Sequence, residues 1–250
     1  MKISTIPNLY RNLRRGTEIL SVLSKYGLAD WLSRLNVDFF KDQLRDRGEG
    51  VAIARQPHET RIRLALTDLG PTFIKFGQLL STRPDLVGVE LSQELKKLRD
   101  QVPPDSYDQV QETVERELGQ PIEQLFSFFE LKPTASASIG QVHQARLECG
   151  HLVAVKVQRY GIDRIVREDL DVMLGLAQLA ELVPEFTPYH PVATVSEVAK
   201  MLRRELDFGA EERNLTQFAL QFEDEPHLKI PLPISDLCTP KVLTMEWIDG

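Results

Sequence analysis

From Leu131 onward the apolar residues of this chain stop recurring at three- and four-residue steps and begin to alternate. That change of period constrains the fold more than any other feature. In Leu152-Val153-Ala154-Val155-Lys156-Val157-Gln158 the three valines fall on one face, and Ala154, Lys156 and Gln158 on the other. Gln141 to Leu147 precedes it, with a turn at Glu148-Cys149-Gly150, so the pair is read as an antiparallel hairpin. Lys241 to Glu246 is read as a last strand. The remainder is helical. An amphipathic stretch covers residues 8 to 47 and breaks at Gly48-Glu49-Gly50. A second block covers Glu59 to Arg99, interrupted near Pro84. Pro103-Pro104-Asp105 leads into Tyr107 to Leu118, which Gly119-Gln120-Pro121 closes. Helices return at Arg164 to Val183 and, after three prolines, at Val195 to Phe222.

Composition narrows the function classes. A chain of 250 residues, 42% hydrophobic and 27% charged, is globular material with room for two lobes. A net charge of -7, with no basic stripe interleaved with aromatics, argues against nucleic acid. Cys149 and Cys238 form no CxxC, and His58, His143, His151, His190 and His227 are scattered, so no metal is expected. With neither a signal peptide nor a run of transmembrane length in the sequence, the chain is expected on the cytoplasmic or organelle-interior side. The amino-terminal part is basic up to residue 35, with Lys2, Arg11, Arg14, Arg15, Lys25 and Arg34 opposed only by Glu18 and Asp30. It suits either peripheral contact with an anionic membrane or a solvated face of its own domain.

Two places carry chemistry. On the hairpin, the small Ala154 lets a flat base approach the sheet, while Lys156, two residues along the same face, reaches phosphate oxygens. Such a lysine needs a carboxylate to hold it extended, and position nominates Glu168 on the next helix. The loop Ala135-Ser136-Ala137-Ser138-Ile139-Gly140 before the hairpin has alanine and serine where a glycine-rich phosphate loop has glycines, and is stiffer for it. The second place is the helix Gly70 to Thr82. Leu69, Phe73, Phe76 and Leu80 form its packing face, and Lys75 and Gln78 project together beside Gly77, where a close neighbour can approach.

Lys75-Phe76-Gly77-Gln78 resembles the KxGQ signature of the UbiB-like atypical kinase family, also called the aarF-domain family. Three further motifs follow in that family's order: the alanine-rich loop at Ala135 to His143, the nucleotide-lysine strand at Val153 to Gln158, and ExD at Glu205-Leu206-Asp207. The resemblance covers residues 69 to 250. It implies an α+β fold: a protein-kinase-like small lobe with an antiparallel sheet over 105–250, ending at the hinge, with inserted helices and an all-helical extension over 1–104. It nominates Glu211 as the partner of Lys156, and sets Glu205 and Asp207 against Lys75 and Gln78. ATP or ADP would lie among Ala135, Ser136, Ala137, Ser138, Gln141, Val142, Ala154 and Lys156. Met245 would stand as gatekeeper, with the backbone of Glu246 to Ile248 as hinge. Asp207-Phe208-Gly209 spells DFG, but no catalytic loop precedes it, so it is not expected to bind metal.

The same resemblance implies that the catalytic aspartate, asparagine and Mg2+ ligands belong to a lobe after Gly250. The chain then reads as an inactive fragment of an ATP-using enzyme that supports isoprenoid-quinone biosynthesis, with prenyl lipid or quinone-pathway proteins as partners. The competing reading is a non-catalytic module in which nucleotide switches a lipid- or protein-binding surface. Lys75→Ala and Glu205→Ala separate them, through turnover in the first case and partner affinity alone in the second.

Overall fold

The computed structural model describes residues 12–30, 56–98, 103–225 and 227–248. In chain order these hold α1 (Leu13–Lys25), α2 (His58–Leu69), α3 (Pro71–Ser81), α4 (Pro84–Val87), α5 (Val89–Leu95), α6 (Tyr107–Leu118) and α7 (Ile122–Leu125). Then come β1 (Phe128–Phe129), β2 (Ala135–Ser136), β3 (Gly140–Arg146), β4 (Leu152–Gln158), α8 (Ile162–Ala180), α9 (Pro191–Glu205), α10 (Phe208–Gln221) and β5 (Val242–Glu246). Contacts divide the chain into two units: residues 1–100 with 163–202, and residues 101–162 with 203–250. The inserted helices thus cluster with the amino-terminal helices. The Gly48-Glu49-Gly50 break lies outside the described residues.

The first unit is helical. Gly70 joins α2 to α3 at φ 98°, ψ -166°, a conformation that side chains disfavour, and Pro71 occupies the first helical turn after it. Leu69, Phe73, Phe76 and Leu80 are buried as their spacing requires, and Ile74 joins them. On α1, Ile19 and Leu20 are buried, and two of the basic side chains, Arg15 and Lys25, are tied to other elements of the same unit. Arg15 Nε donates to Asp169 Oδ1 at 2.5 Å and Nη2 to the Leu69 carbonyl at 2.9 Å, with the guanidinium 5.8 Å from the Phe73 ring centroid. Lys25 meets Asp68 at 2.8 Å. Arg14 stays in solvent; Lys2, Arg11 and Arg34 lie outside the described residues. No described helix is long and apolar enough to cross a membrane.

The second unit is an antiparallel sheet of order β1-β3-β4-β5, with β2 also paired to β3. Val153, Val155 and Val157 sink with Ala145, Val242, Phe126 and Phe129 into one core, to which α6 contributes Val110 and Val114. The opposite face is not left to solvent, as alternation alone suggests. α10 lays Phe208 against Ile139 and Leu243 there, so β4 is covered on both sides and Ala154 and Gln158 are buried too. Gly140 admits this packing, since a Cβ on it would stand 3.0 Å from the Val157 carbonyl oxygen and 3.1 Å from Phe208 Cζ.

The continuous helix expected over Val195 to Phe222 is broken. Asp207 adopts extended backbone and accepts the Gly209 amide at 3.1 Å, capping α10 as a new helix. The preceding helix also starts earlier, with Pro191 in its first turn.

Candidate functional site

Register sets the site face of the sheet. Antiparallel pairing places Val142 opposite Lys156, Ala154 opposite Met245, and Lys156 opposite Leu243. These residues share one face, the one α10 borders. Lys156 extends towards α10, where its Nζ lies 2.5 Å from Glu211 Oε2 and 4.6 Å from the Phe208 ring centroid. Glu211 occupies the first turn of α10, whose start Asp207 fixes. Glu168, the acid nominated by position, lies on α8 in the helical unit. The ammonium is thus held by a carboxylate and an aromatic face while its side chain remains 24% exposed, open to a further anion.

The DFG string accordingly has structural work. Asp207 caps α10 and meets Arg213 at 3.4 Å, Phe208 is 1% exposed, and Gly209 sits where a Cβ would crowd Asp207 Oδ1 at 3.1 Å. Among the described residues, no group of three or more His, Cys, Asp or Glu is placed to hold a metal ion.

The loop before the hairpin is pinned rather than free. β2 pairs Ala135 with Val142 and Ser136 with Gln141, and the Ala137 amide donates to the Gly140 carbonyl. Ser138 and Ile139 are buried. Beneath them Arg159, missed by sequence reasoning, is 7% exposed and donates to Ala137 O at 2.8 Å, Ser136 Oγ at 2.8 Å, Pro103 O at 2.9 Å and Asp105 Oδ1 at 2.8 Å. Its backbone amide donates to Ile139 O. The only sequence signal was position, a charged residue directly after a predicted strand.

Gln141, placed among the nucleotide contacts by resemblance, turns its side chain to the core face instead. It is buried, accepts the Asp105 amide at 2.8 Å and donates to His143 Nε2 at 2.9 Å, so it is withdrawn from side-chain contact with a ligand. His143 then donates through Nδ1 to Glu130 O, and burial pushes its pKa below the ordinary value.

At the segment that the resemblance assigns as hinge, the Glu246 amide donates to Leu232 O at 2.9 Å and the Trp247 amide to Leu152 O at 3.2 Å. Those two donors are therefore already engaged. Met245 packs beside the Phe208 cluster, and Ile248 is exposed.

Lys75 and Gln78, on α3, are both half-buried and belong to the helical unit, whereas Glu205 and Asp207 belong to the sheet unit. The close neighbour of Gly77 is the protein itself. A Cβ there would stand 2.4 Å from Leu98 Cδ1 and 2.8 Å from Leu66 Cδ1. The same helix also lends Phe76 and Leu80 to an apolar cavity of about 600 Å³ within the helical unit, with Leu86, Leu91, Met173 and Leu176 among its other walls.

Residues 97–250 match the family model of the ABC1 atypical kinase-like domain. This chain belongs to the ABC1 atypical kinase-like family. Its relatives include a probable protein kinase UbiB of Pseudomonas fluorescens, 42% identical over 95% of this chain and 46% of the relative. A second, from Pseudomonas paraeruginosa, is 47% identical over 76% of this chain and 36% of the relative. The chain therefore spans less than half the length of these relatives. Among solved structures, the complex of Rv3197 with erythromycin from Mycobacterium tuberculosis superposes with a TM-score of 0.50 at 32% identity. It covers 70% of this chain and 43% of Rv3197. The chain is thus an atypical kinase-like protein with an antiparallel sheet preceded by helices.

Proposed function

We propose that this chain supplies the nucleotide-binding wall of a UbiB-type atypical kinase or ATPase that supports isoprenoid-quinone biosynthesis. The observation that carries the reading is the Lys156–Glu211 pair at 2.5 Å on the face that also presents Ala154 and Val142. Ala154, buried at 7% exposed, adds no more than a methyl to the wall against which a flat base would stack. Lys156, held by Glu211 and Phe208, donates to phosphate oxygens without first having to order its own side chain. ATP supplies the transferable phosphoryl group when bound; the residues here bind and orient it. Quinone biosynthesis rests on the likeness to UbiB relatives alone. The test is titration of ADP and ATP, with and without Mg2+, into the chain and into Lys156→Met. Saturable binding lost in the variant is expected, and equal binding by both proteins would overturn the reading.

A second reading is favoured by the apolar cavity: a nucleotide-responsive module that holds a prenyl lipid in the helical unit, beside the helix that carries Lys75 and Gln78. Its mark is lipid binding that Leu80→Trp, which fills the cavity, abolishes while nucleotide affinity stays unchanged. Loss of turnover in Lys75→Ala would instead favour the enzyme.

A further inference from the structure

We propose that Arg159, braced by Asp105, is the positioning residue of the small-residue loop, fixing Ser136 to Ile139 in the one arrangement that receives the nucleotide. The inference rests on the nucleotide reading above and goes beyond it, because nothing in the KxGQ, nucleotide-lysine or ExD motifs includes either residue.

The geometry is specific to a guanidinium. Nε reaches Ala137 O, Nη2 reaches Ser136 Oγ, and Nη1 is shared by Pro103 O and Asp105 Oδ1. An ammonium is a point donor and cannot span these partners from one planar fork. The brace is itself anchored. Asp105 spends its other carboxylate oxygen on the Tyr160 amide at 2.8 Å, and its own amide on Gln141 Oε1. The loop is therefore tied to both hairpin strands and to the segment leading into α6. Its far side is closed by Ile139, which packs on Phe208 and Leu243. Phe208 is the ring under Lys156, so loop and lysine share one wall. A glycine-rich phosphate loop draws on backbone freedom to fold over its ligand. This loop has given that up, and a buried guanidinium supplies the fixed conformation in its place. Loosening the brace should therefore raise the entropic cost of binding.

The experiment is amide hydrogen exchange of a peptide covering 134–140, read beside strand peptides of the same unit, together with ADP titration, in wild type, Arg159→Lys, Arg159→Ala and Asp105→Asn. Expected is loop exchange faster by about tenfold in all three variants, strand exchange nearly unchanged, and ADP affinity weakened about tenfold in parallel. Full retention of protection and affinity by Arg159→Lys would show that charge alone suffices and overturn the fork geometry. Equal acceleration of loop and strand peptides would mark Arg159 as a general brace of the core, and faster loop exchange with wild-type affinity would show that the ligand does not depend on the loop; either result sinks the proposal. Wild-type protein that binds no nucleotide removes the nucleotide reading itself, and the positioning role with it, whatever the exchange shows.

Discussion

Replacing Glu211 by Gln removes the charge opposite Lys156 and almost no volume, which separates what the pair does for folding from what it does for a ligand. Both side chains are partly in solvent, 24% exposed for Lys156 and 40% for Glu211. Pairs of that exposure contribute about 0.2–1 kcal/mol to stability. In a chain of this size that corresponds to a fall in Tm of no more than about 4 °C. The consequence for nucleotide is larger. With the charge gone, Lys156 keeps the Phe208 face, 4.6 Å from its ammonium, and a neutral amide acceptor in place of the carboxylate, a weaker hold that returns rotamer freedom which binding must then remove. Ordering a lysine side chain costs up to about 1.5–2 kcal/mol, so ADP should bind about ten- to thirtyfold more weakly. Thermal unfolding and calorimetric titration of the same preparations read both quantities. Unchanged affinity refutes the argument that Glu211 pre-organises the lysine. A Tm drop beyond about 10 °C would show that the pair is a pillar of the core rather than a partly solvated contact.

Other outcomes follow from the packing. Gly77→Ala drives a Cβ into Leu98 and Leu66; overpacking of about 1–3 kcal/mol outweighs the roughly 1 kcal/mol of helix propensity regained, so chemical denaturation should show a net loss. Arg15→Ala strands the Asp169 carboxylate, which is 1% exposed, and should cost about 3–5 kcal/mol, whereas Arg15→Met with Asp169→Leu recovers most of that loss in a double-mutant cycle. His143 titrates below its usual 6.5 because it is buried, so the unfolded chain binds the extra proton first as pH falls. Its contribution is complete above pH 6.5 and is lost as pH drops through the folded value; His143→Gln should flatten that part of the Tm-versus-pH curve.

Particular residues show where the sequence was legible. The valines of β4 announced their face because a side-chain period of two survives any tertiary context that keeps the strand. The bounds of α6 could be read from a proline-rich entry and a glycine exit, both of which are local signals. By contrast, the break at Asp207 was hidden, since a capping aspartate is indistinguishable from a surface acid until the next helix is seen to start. Gln141 was assigned to the nucleotide on the strength of a motif, but the pleat sends its side chain to the core. β1 and β2 escaped notice because two-residue strands carry no period of their own.

The sequence by itself determined the change from helical to strand period, the hairpin and which face of it carries Lys156, because periodicity and turn chemistry are properties of neighbouring residues, while the α+β class came with the four motifs that resemble the family. Tertiary structure decided which acid meets Lys156, Glu211 fifty-five residues away rather than Glu168, set Arg159 beneath a loop about twenty residues before it, and put Phe208 in the wall under the lysine. Contacts between segments so distant in sequence depend on how the sheet pairs and where α10 docks, and no local pattern encodes either.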